Sequence, residues 1–395
     1  MKVLYAVTDY PCYSETFVTE EIRQLRAEGV EVSVCNFTWA KPAQREREER
    51  ILNNTKHLGV LLKAIAKAVR NRQSLLGRIE TWTMVWDCIR HTPAFTFKYL
   101  FLLLSLDYKA QQVATEGKVE MVSHFLFKTT LATYFIAQQA GIPYHIRLHT
   151  KISLYPINVL VNVLQAAETI SAESRDVAVF YEAILPTHRS INVVRQSVNL
   201  PNLTSIQPKR PENAIFHIIA VGRLVEKKGF HVLVHALGLR RAEFSGKLRC
   251  TIYGEGPMRN QLTRLINHYH LTDRVTLAGK TKHSDVLTQI SEADLLVAPS
   301  ISLTHDIDGI PTVLAEAMLL KTPVLTTAVG GILELITDGE TGFIVNANDA
   351  EALADRLLSL QDAALRNRVI PAAFQKASFE YTHTFATEFR NVVVA

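Results

Sequence analysis

Cysteine is scarce in this sequence of 395 residues. Its four cysteines, Cys12, Cys35, Cys88 and Cys250, are scattered and form no C-x-x-C pair. This spacing excludes the common structural zinc sites and provides no disulfide framework. We therefore expect reduced thiols and a cytoplasmic protein.

Long apolar runs are also lacking. The longest, residues 99–106, is far shorter than the roughly 20 residues that span a bilayer. After Met1 and Lys2, the apolar stretch Val3–Val7 is too short for the core of a secretory signal and predicts a buried strand. Any membrane contact is therefore expected to be peripheral, at the inner face of the plasma membrane.

Positive charge is not concentrated in one dominant run. The net charge is only +5, so no nucleic-acid partner is expected. Residues 56–78 are the exception, because they carry six Lys or Arg and no acidic residue among aliphatic ones. This pattern fits a helix lying on an anionic membrane, and it equally fits a solvated helix packed on its own domain.

Short apolar runs alternate with helical periodicity through most of the chain, which predicts an α/β protein with parallel sheets covered on both faces. Strands are predicted in the first half at residues 3–7, 30–37, 121–124, 144–148, 169–171 and 192–195. In the second half they are predicted at residues 215–221, 248–253, 275–278, 295–299 and 324–326. A polar segment with three prolines, residues 201–213, separates the two series.

These series predict two Rossmann-like, doubly wound domains that face each other across a cleft. The first covers residues 1–200 and includes a helical insertion at about 41–108. After the linker at 201–213, the second covers residues 214–364, and helices at 365–395 pack back across the domains. Ligands of such sheets bind at the carboxyl ends of the strands, so the loops there are the candidate sites.

Two carboxylates, Asp308 and Glu316, lie eight residues apart around a predicted helix start near Ile310. Pro311 is favoured in the first turn of a helix, and Gly309 permits a tight preceding turn. One sugar nucleotide would reach both acids, with its hydroxyls at the first and its ribose at the second. An acidic loop followed by an amphipathic helix explains the same residues.

The start of that helix also predicts an anion site. The N–H groups of Thr312 and Val313 would have no partner within the helix and would suit a phosphate. In an earlier loop, residues 222–229, Arg223 and Lys228 follow a predicted strand. A guanidinium fork and a compact ammonium placed there suit a diphosphate.

Two motifs resemble a dinucleotide site and a metal site, and neither site is expected in this chain. Residues 253–257 resemble half of a dinucleotide fingerprint, but Arg259 stands where the third glycine would be, so a nicotinamide-binding fold is not expected. Asp306 and Asp308 form a D-x-D pattern, which holds a divalent metal in some enzymes. We reject a metal here because Arg223 and Lys228 already supply the positive charge. No metal and no cofactor is therefore expected.

Taken in order, five blocks resemble the retaining glycosyltransferases of family four, which have the GT-B fold. They are residues 222–229, 253–257, 299–300, 308–318 and 329–342. Near the start, residues 13–17 with Glu20 and Glu21 resemble the exopolysaccharide and colanic-acid branch. Residues 123–125 and 148–151 resemble two histidine-bearing loops of the acceptor half in the same branch.

The resemblance implies catalytic roles for His149, Asp308, Arg223 and Lys228. It implies donor binding by Gly222, Arg223, Lys228, Gly254, Gly256, Pro257, Lys280, Asp308, Gly309, Ile310, Pro311, Thr312, Val313 and Glu316. It implies acceptor binding by Ser14, Glu15, Thr16 and His124. Asp308 stands where the family usually has a glutamate, so the reach toward the donor sugar is one methylene shorter.

The function implied is metal-independent transfer of a hexose from a nucleotide diphosphate sugar, with retention at the anomeric carbon. UDP-glucose or a related UDP-hexose is the expected donor, and the expected acceptor is a hydroxyl of a saccharide or lipid-linked saccharide in polysaccharide biosynthesis. Two alternatives stay open: a UDP-sugar epimerase on the same fold, and a catalytically silent relative that binds a sugar nucleotide.

Overall fold

The computed structural model describes residues 2–7, 16–36, 83, 84, 86, 110, 113, 120–124, 128–152, 156–186, 189–198, 200, 215–244, 248–304, 306–382 and 385–394. The predicted linker and, apart from residues 83, 84 and 86, the predicted helical insertion lie outside this range. The chain divides into two compact units, of which the first comprises residues 1–12, 21–194 and 385–395. The second comprises residues 13–20 and 195–384.

The first unit contains a six-stranded parallel sheet with the order β2-β1-β3-β4-β6-β7. The strands in this part of the chain are β1 (Lys2–Val7), β2 (Glu31–Asn36), β3 (Glu120–His124), β4 (Tyr144–Leu148), β5 (Thr150–Ile152), β6 (Thr169–Ala172) and β7 (Asn192–Val193), of which β5 lies outside the sheet. The helices are Thr16–Ala27, Lys128–Ala140, Ile157–Gln165, Arg175–Glu182 and Phe385–Val394. All five residues of β4 are buried, as expected for a strand with both faces covered.

The second unit contains another six-stranded parallel sheet, with the order β10-β9-β8-β11-β13-β14. Its strands are β8 (Phe216–Val221), β9 (Leu248–Tyr253), β10 (Val275–Gly279), β11 (Leu295–Ala298), β12 (Asp306–Asp308), β13 (Val324–Thr327) and β14 (Phe343–Val345), of which β12 lies outside the sheet. Its helices are Phe230–Leu239, Arg259–His268, His283–Glu292, Thr312–Leu319, Ile332–Leu335, Ala350–Ser359, Ala363–Asn367 and Ile370–Tyr381. A 3-10 turn, Glu226–Lys228, precedes the first of them.

The strand order of the second unit determines where a ligand can bind. Chain connections run outward in one direction from β8 through β9 to β10, and in the other direction from β11 through β13 to β14. The topological switch point therefore lies between β8 and β11, and doubly wound sheets bind ligands at the carboxyl ends of the strands there. A ligand is therefore expected to contact the loops that follow β8 and β11.

The core of the first unit includes its last helix. Phe385 and Phe389 are buried and stack on each other with ring centroids 5.1 Å apart, and Tyr5 of β1 lies 6.4 Å from Phe389. The guanidinium of Arg147, on β4, lies 5.0 Å from the Phe385 ring and donates to the buried Glu21 carboxylate at 3.3 Å. Residues 385–394 are therefore part of the packing of this sheet.

Among the described residues, no helix is both long enough and apolar enough to cross a membrane.

Removing the aromatic side chain of Phe389 should destabilise the first unit. Phe389→Ala is expected to lower the free energy of unfolding by about 3 to 5 kcal/mol, the usual range for an aromatic residue in a core. Phe379→Ala, at a phenylalanine that is 73% exposed, is the matched control and should change it by less than about 0.5 kcal/mol. Urea denaturation measures both, and equal effects would contradict this account of the last helix.

Candidate active site

Two loops of the second unit meet at the switch point. Residues 222–229 follow β8, and residues 299–311 follow β11. Gly229 has a φ of 64°, and a Cβ added there would lie only 1.8 Å from the carbonyl oxygen of Pro299. The N–H of Ile301 also donates to the carbonyl of Lys227 at 2.8 Å. Only glycine permits this approach, which brings the side chains of the two loops into contact.

Four of those side chains form a cluster of two lysines and two carboxylates, here named the lysine–carboxylate cluster: Lys227, Lys228, Asp306 and Asp308. Lys228 Nζ lies 2.7 Å from Asp308 Oδ2, and Lys227 Nζ lies 3.0 Å from Asp308 Oδ1. Lys227 Nζ also contacts Asp306 Oδ1 at 2.7 Å. The hydroxyl of Ser300 donates to Asp308 Oδ2 at 3.4 Å. The structure thus brings together two predicted site residues, Lys228 and Asp308.

The cluster keeps Asp308 ionised although its side chain is buried. Burial raises the pKa of the Asp308 carboxyl, but the ammonium groups of Lys228 and Lys227 outweigh this and hold the pKa at about 2. Burial likewise opposes ionisation of Lys227, yet Asp308 and Asp306 raise its pKa above the usual value. Asp308 and Lys227 are therefore both charged at neutral pH.

Arg223 belongs to the same 222–229 loop as Lys227 and Lys228, and its side chain is exposed. Within the described part of the chain its guanidinium has no side-chain hydrogen bond or ion pair. Its five N–H donors are therefore available to a ligand such as a diphosphate.

The glycines of the next loop pack against the same backbone. A Cβ at Gly254 would lie 1.9 Å from the carbonyl oxygen of Gly222, and one at Gly256 would lie 2.4 Å from that of Leu224. The N–H of Gly222 donates to Tyr253 at 3.0 Å. This close backbone packing is sufficient to explain why both positions are glycine. Contact of the donor with Gly254, Gly256 and the exposed Pro257 stays a prediction.

The helix after Asp308 begins later than the sequence predicts. It covers Thr312–Leu319, and Pro311 precedes it with extended backbone angles of φ −61° and ψ 121°. The predicted start near Ile310, with Pro311 in the first turn, was therefore wrong by about two residues. The N–H of Leu314 bonds back to Pro311, which leaves the N–H groups of Thr312 and Val313 as the first donors of this helix.

Glu316, on the same helix, pairs with a histidine that the sequence reasoning missed. Its Oε1 lies 2.9 Å from Nε2 of His283, and its side chain is only 8% exposed. The hydrogen bond with Glu316 raises the pKa of His283 above the usual 6.5, although burial opposes this. His283 begins a helix three residues after the predicted donor ligand Lys280, beyond the carboxyl end of β10, and that position was the available signal.

In the first unit, His149 directly follows β4. Its Nδ1 lies 3.3 Å from Oε2 of Glu173, and both side chains are buried. Glu173, which the sequence reasoning also missed, follows β6, so its place at a strand end was a usable signal. A carboxylate at one imidazole nitrogen fixes the orientation of the ring.

The predicted acceptor residues fall largely outside the described structure. Ser14 and Glu15 are not among the described residues, and for Thr16 and His124 only the backbone is described, at the start of a helix and at the end of β3. Of the donor residues, Lys280 is exposed, whereas Gly309 and Ile310 are buried. In the described ranges no group of three or more His, Cys, Asp or Glu side chains is placed to hold a metal ion.

The stability due to the lysine–carboxylate cluster should depend on acid pH. Because the Asp308 pKa is lowered from 3.8 to about 2, its contribution is fully present above about pH 4 and is lost as the pH falls toward 2. The shift corresponds to about 2 kcal/mol. The difference in unfolding free energy between wild type and Asp308→Asn, measured with urea, should be largest at pH 6 and should shrink as the pH falls from about 4 through 2. A difference that is independent of pH would contradict the assignment.

The His283–Glu316 contact predicts the opposite dependence of stability on pH. A raised histidine pKa stabilises the fold below pH 6.5, and this stability is lost as the pH rises through the pKa of the folded protein. NMR titration should give a pKa above 6.5 for His283 in wild type and a lower pKa in Glu316→Gln. His268, in the helix Arg259–His268, is the internal control, and its NMR signals should be the same in both proteins.

Comparison with known proteins shows what the chain is similar to. Residues 205–376 match the family model "Glycosyl transferases group 1". The chain is 36% identical over 194 residues to the putative colanic acid biosynthesis glycosyltransferase WcaL of Salmonella typhimurium, covering 48% of this chain and 47% of that protein. It is 33% identical over 198 residues to the amylovoran biosynthesis glycosyltransferase AmsK of Erwinia amylovora, covering 50% and 48%. The chain thus spans about half the length of the curated relatives it matches.

Solved structures resemble the whole chain. Anabaena Alr3699/HepE in complex with UDP and glucose has a TM-score of 0.74 at 17% identity and covers 100% of this chain and 99% of its own. Sucrose-phosphate synthase from Thermosynechococcus elongatus has a TM-score of 0.73 at 16% identity and covers 100% and 98%. The fold is therefore the GT-B fold, and residues 205–376 match the model of the glycosyl transferases group 1 family.

Proposed function

We propose that this protein is a retaining hexosyltransferase of exopolysaccharide biosynthesis. Its donor is UDP-glucose or a related UDP-hexose, and its acceptor is a hydroxyl of a saccharide or lipid-linked saccharide. The observation that carries the proposal is the contact of Lys228 with Asp308 at the switch point, in a loop that also carries the exposed Arg223. The relatives named for colanic acid and amylovoran biosynthesis, and the Anabaena structure with UDP and glucose, support it.

The diphosphate is held by Arg223 and Lys228. The guanidinium binds phosphate oxygens as a fork, and the Lys228 ammonium exchanges its carboxylate partner for the phosphate. The N–H groups of Thr312 and Val313 add donors at a helix start. As the bond to the anomeric carbon breaks, these groups stabilise the negative charge that builds up on the departing UDP.

The two acids bind the hydroxyls of the donor. Glu316 accepts from the ribose, and because His283 contacts only one of its oxygens, the other remains available. Asp308 accepts from hydroxyls of the hexose. The Asp308 side chain is one methylene shorter than that of glutamate, so the sugar must lie closer to the 299–311 loop. Selectivity among hexoses would arise from this shorter distance.

Transfer proceeds on the face from which UDP leaves. The bond between the anomeric carbon and the phosphate oxygen breaks, a bond to the acceptor oxygen forms on the same face, and the acceptor proton passes to the departing phosphate. For His149 we propose a hydrogen bond to a hydroxyl of the hexose, with Glu173 orienting the ring. Ser14, Glu15, Thr16 and His124 are proposed acceptor contacts.

We further propose that the reaction takes place in the cytoplasm, at the inner face of the plasma membrane when the acceptor is lipid-linked, and that it requires no metal. Arg223 and Lys228 carry the positive charge that a divalent ion would otherwise supply. Transfer that stops on chelation and returns with Mn²⁺ would contradict the last point.

Calorimetry against UDP-, GDP- and ADP-sugars tests the donor site. Wild type should bind a UDP-hexose, and Arg223→Met should weaken binding by about 10- to 100-fold, since a charged hydrogen bond contributes about 1.5 to 3 kcal/mol. Arg264→Met, at an exposed arginine on another helix, is the matched control and should bind like wild type. Absence of binding to every sugar nucleotide would end the proposal.

Incubation with UDP-glucose distinguishes a transferase, an epimerase and a catalytically silent relative by the products that each forms. A transferase consumes UDP-glucose and releases UDP when a saccharide acceptor is present. An epimerase interconverts UDP-hexoses without any acceptor. A silent relative binds the nucleotide and yields no product under either condition.

A further inference from the structure

Lys227 occupies the space between the two carboxylates of the D-x-D pattern. Its ammonium contacts Asp306 at 2.7 Å and Asp308 at 3.0 Å. The side chain of Lys227 is 9% exposed, whereas that of Lys228 is 20% exposed. A buried ammonium is stable only beside anions, and Lys227 has two of them while Lys228 has one.

The backbone fixes Lys227 in this position. It lies in the 3-10 turn Glu226–Lys228, and its carbonyl accepts from the N–H of Ile301 at 2.8 Å. The approach of Gly229 to the Pro299 carbonyl ties the same turn to the 299–311 loop. The Lys227 ammonium is therefore held against the loop that carries Asp306 and Asp308, and is directed away from solvent.

The two lysines contact different oxygens of Asp308. Lys227 contacts Oδ1, whereas Lys228 and the hydroxyl of Ser300 contact Oδ2. If Lys228 moves to a phosphate, Oδ2 becomes available to a hydroxyl of the ligand. Oδ1 keeps its cation, so the carboxylate stays charged and does not rotate.

We infer that Lys227 is a positioning residue, which holds Asp308 by Oδ1 so that Lys228 can exchange Oδ2 for the donor diphosphate and leave Oδ2 for a hexose hydroxyl. This inference rests on the proposed function, since it requires a diphosphate sugar as the ligand. Without Lys227, binding the donor would leave Asp308 buried with no cation. Either Lys228 would then stay on Asp308, or Asp308 would take up a proton.

Calorimetry with UDP-glucose, in buffers of different ionisation enthalpy, measures both consequences. Lys227→Met should raise the Kd at least tenfold, and its binding should take up more protons than that of wild type at the same pH. Proton exchange at His283 is common to both proteins and cancels in this comparison. Lys227→Arg, which keeps the charge, should bind within about threefold of wild type with an unchanged proton count.

Lys2→Met is the control for loss of a lysine charge, because Lys2 forms an exposed pair with Glu31 in the first unit. It should bind UDP-glucose like wild type. Wild type that binds no sugar nucleotide would refute the proposed function. Wild type that binds, with a folded Lys227→Met of equal Kd and proton count, would refute this inference alone.

A double substitution keeps the test decisive if Lys227→Met does not fold. In the Asp308→Asn background, Lys227 has no carboxylate at position 308 to hold. Adding Lys227→Met to that background should therefore change the Kd for UDP-glucose by less than twofold. A further tenfold loss in that background would mean that Lys227 acts on the donor directly, and would overturn the positioning role.

Discussion

The ion pairs of Asp308 with two lysines are the interaction on which the geometry of the second unit's loops depends. A buried carboxylate is stable only when cations face it, so the loop after β8 must lie against the loop after β11. Gly229 permits that approach, and a Cβ at Gly330 would lie 2.3 Å from the carbonyl oxygen of Asp308, so a third loop packs on the same residue. The backbone is thereby shaped around one charged side chain.

Each acid of the Asp308 and Glu316 pair has a basic partner from a different strand end. The lysines come from the loop after β8, and His283 comes from the segment after β10. If the proposed donor binds here, it displaces Lys228 from Asp308 and offers its phosphate in return, whereas Oε2 of Glu316 accepts a hydroxyl without displacing His283 from Oε1. Selectivity then arises from the match of the whole ligand, because a fragment would break contacts without replacing them.

Periodicity was sufficient to predict most strands of both sheets, and β8, β9, β10 and β11 lie within one residue of their predicted bounds. It did not reveal β14 or the helices Ile157–Gln165 and Ala350–Ser359. Motif spacing selected Asp308, Glu316 and His149 as candidates, but not Lys227, His283 and Glu173, with which the structure pairs them. Sequence shows which residues follow strand ends, whereas side-chain pairing depends on strand order and on how closely two loops approach.

The packing of Phe385 and Phe389 on the first sheet has a consequence for biosynthesis. The first unit is built from residues that precede the second unit in the sequence, up to residue 194, and from residues that follow it, 385–395. Its strands therefore leave the ribosome long before the helix Phe385–Val394, whose aromatic rings pack on Tyr5 and Arg147. The second unit, nearly all of it continuous in sequence, can fold during translation, while the nascent first sheet keeps an apolar face uncovered. That interval is when this chain is most exposed to aggregation and most dependent on chaperones.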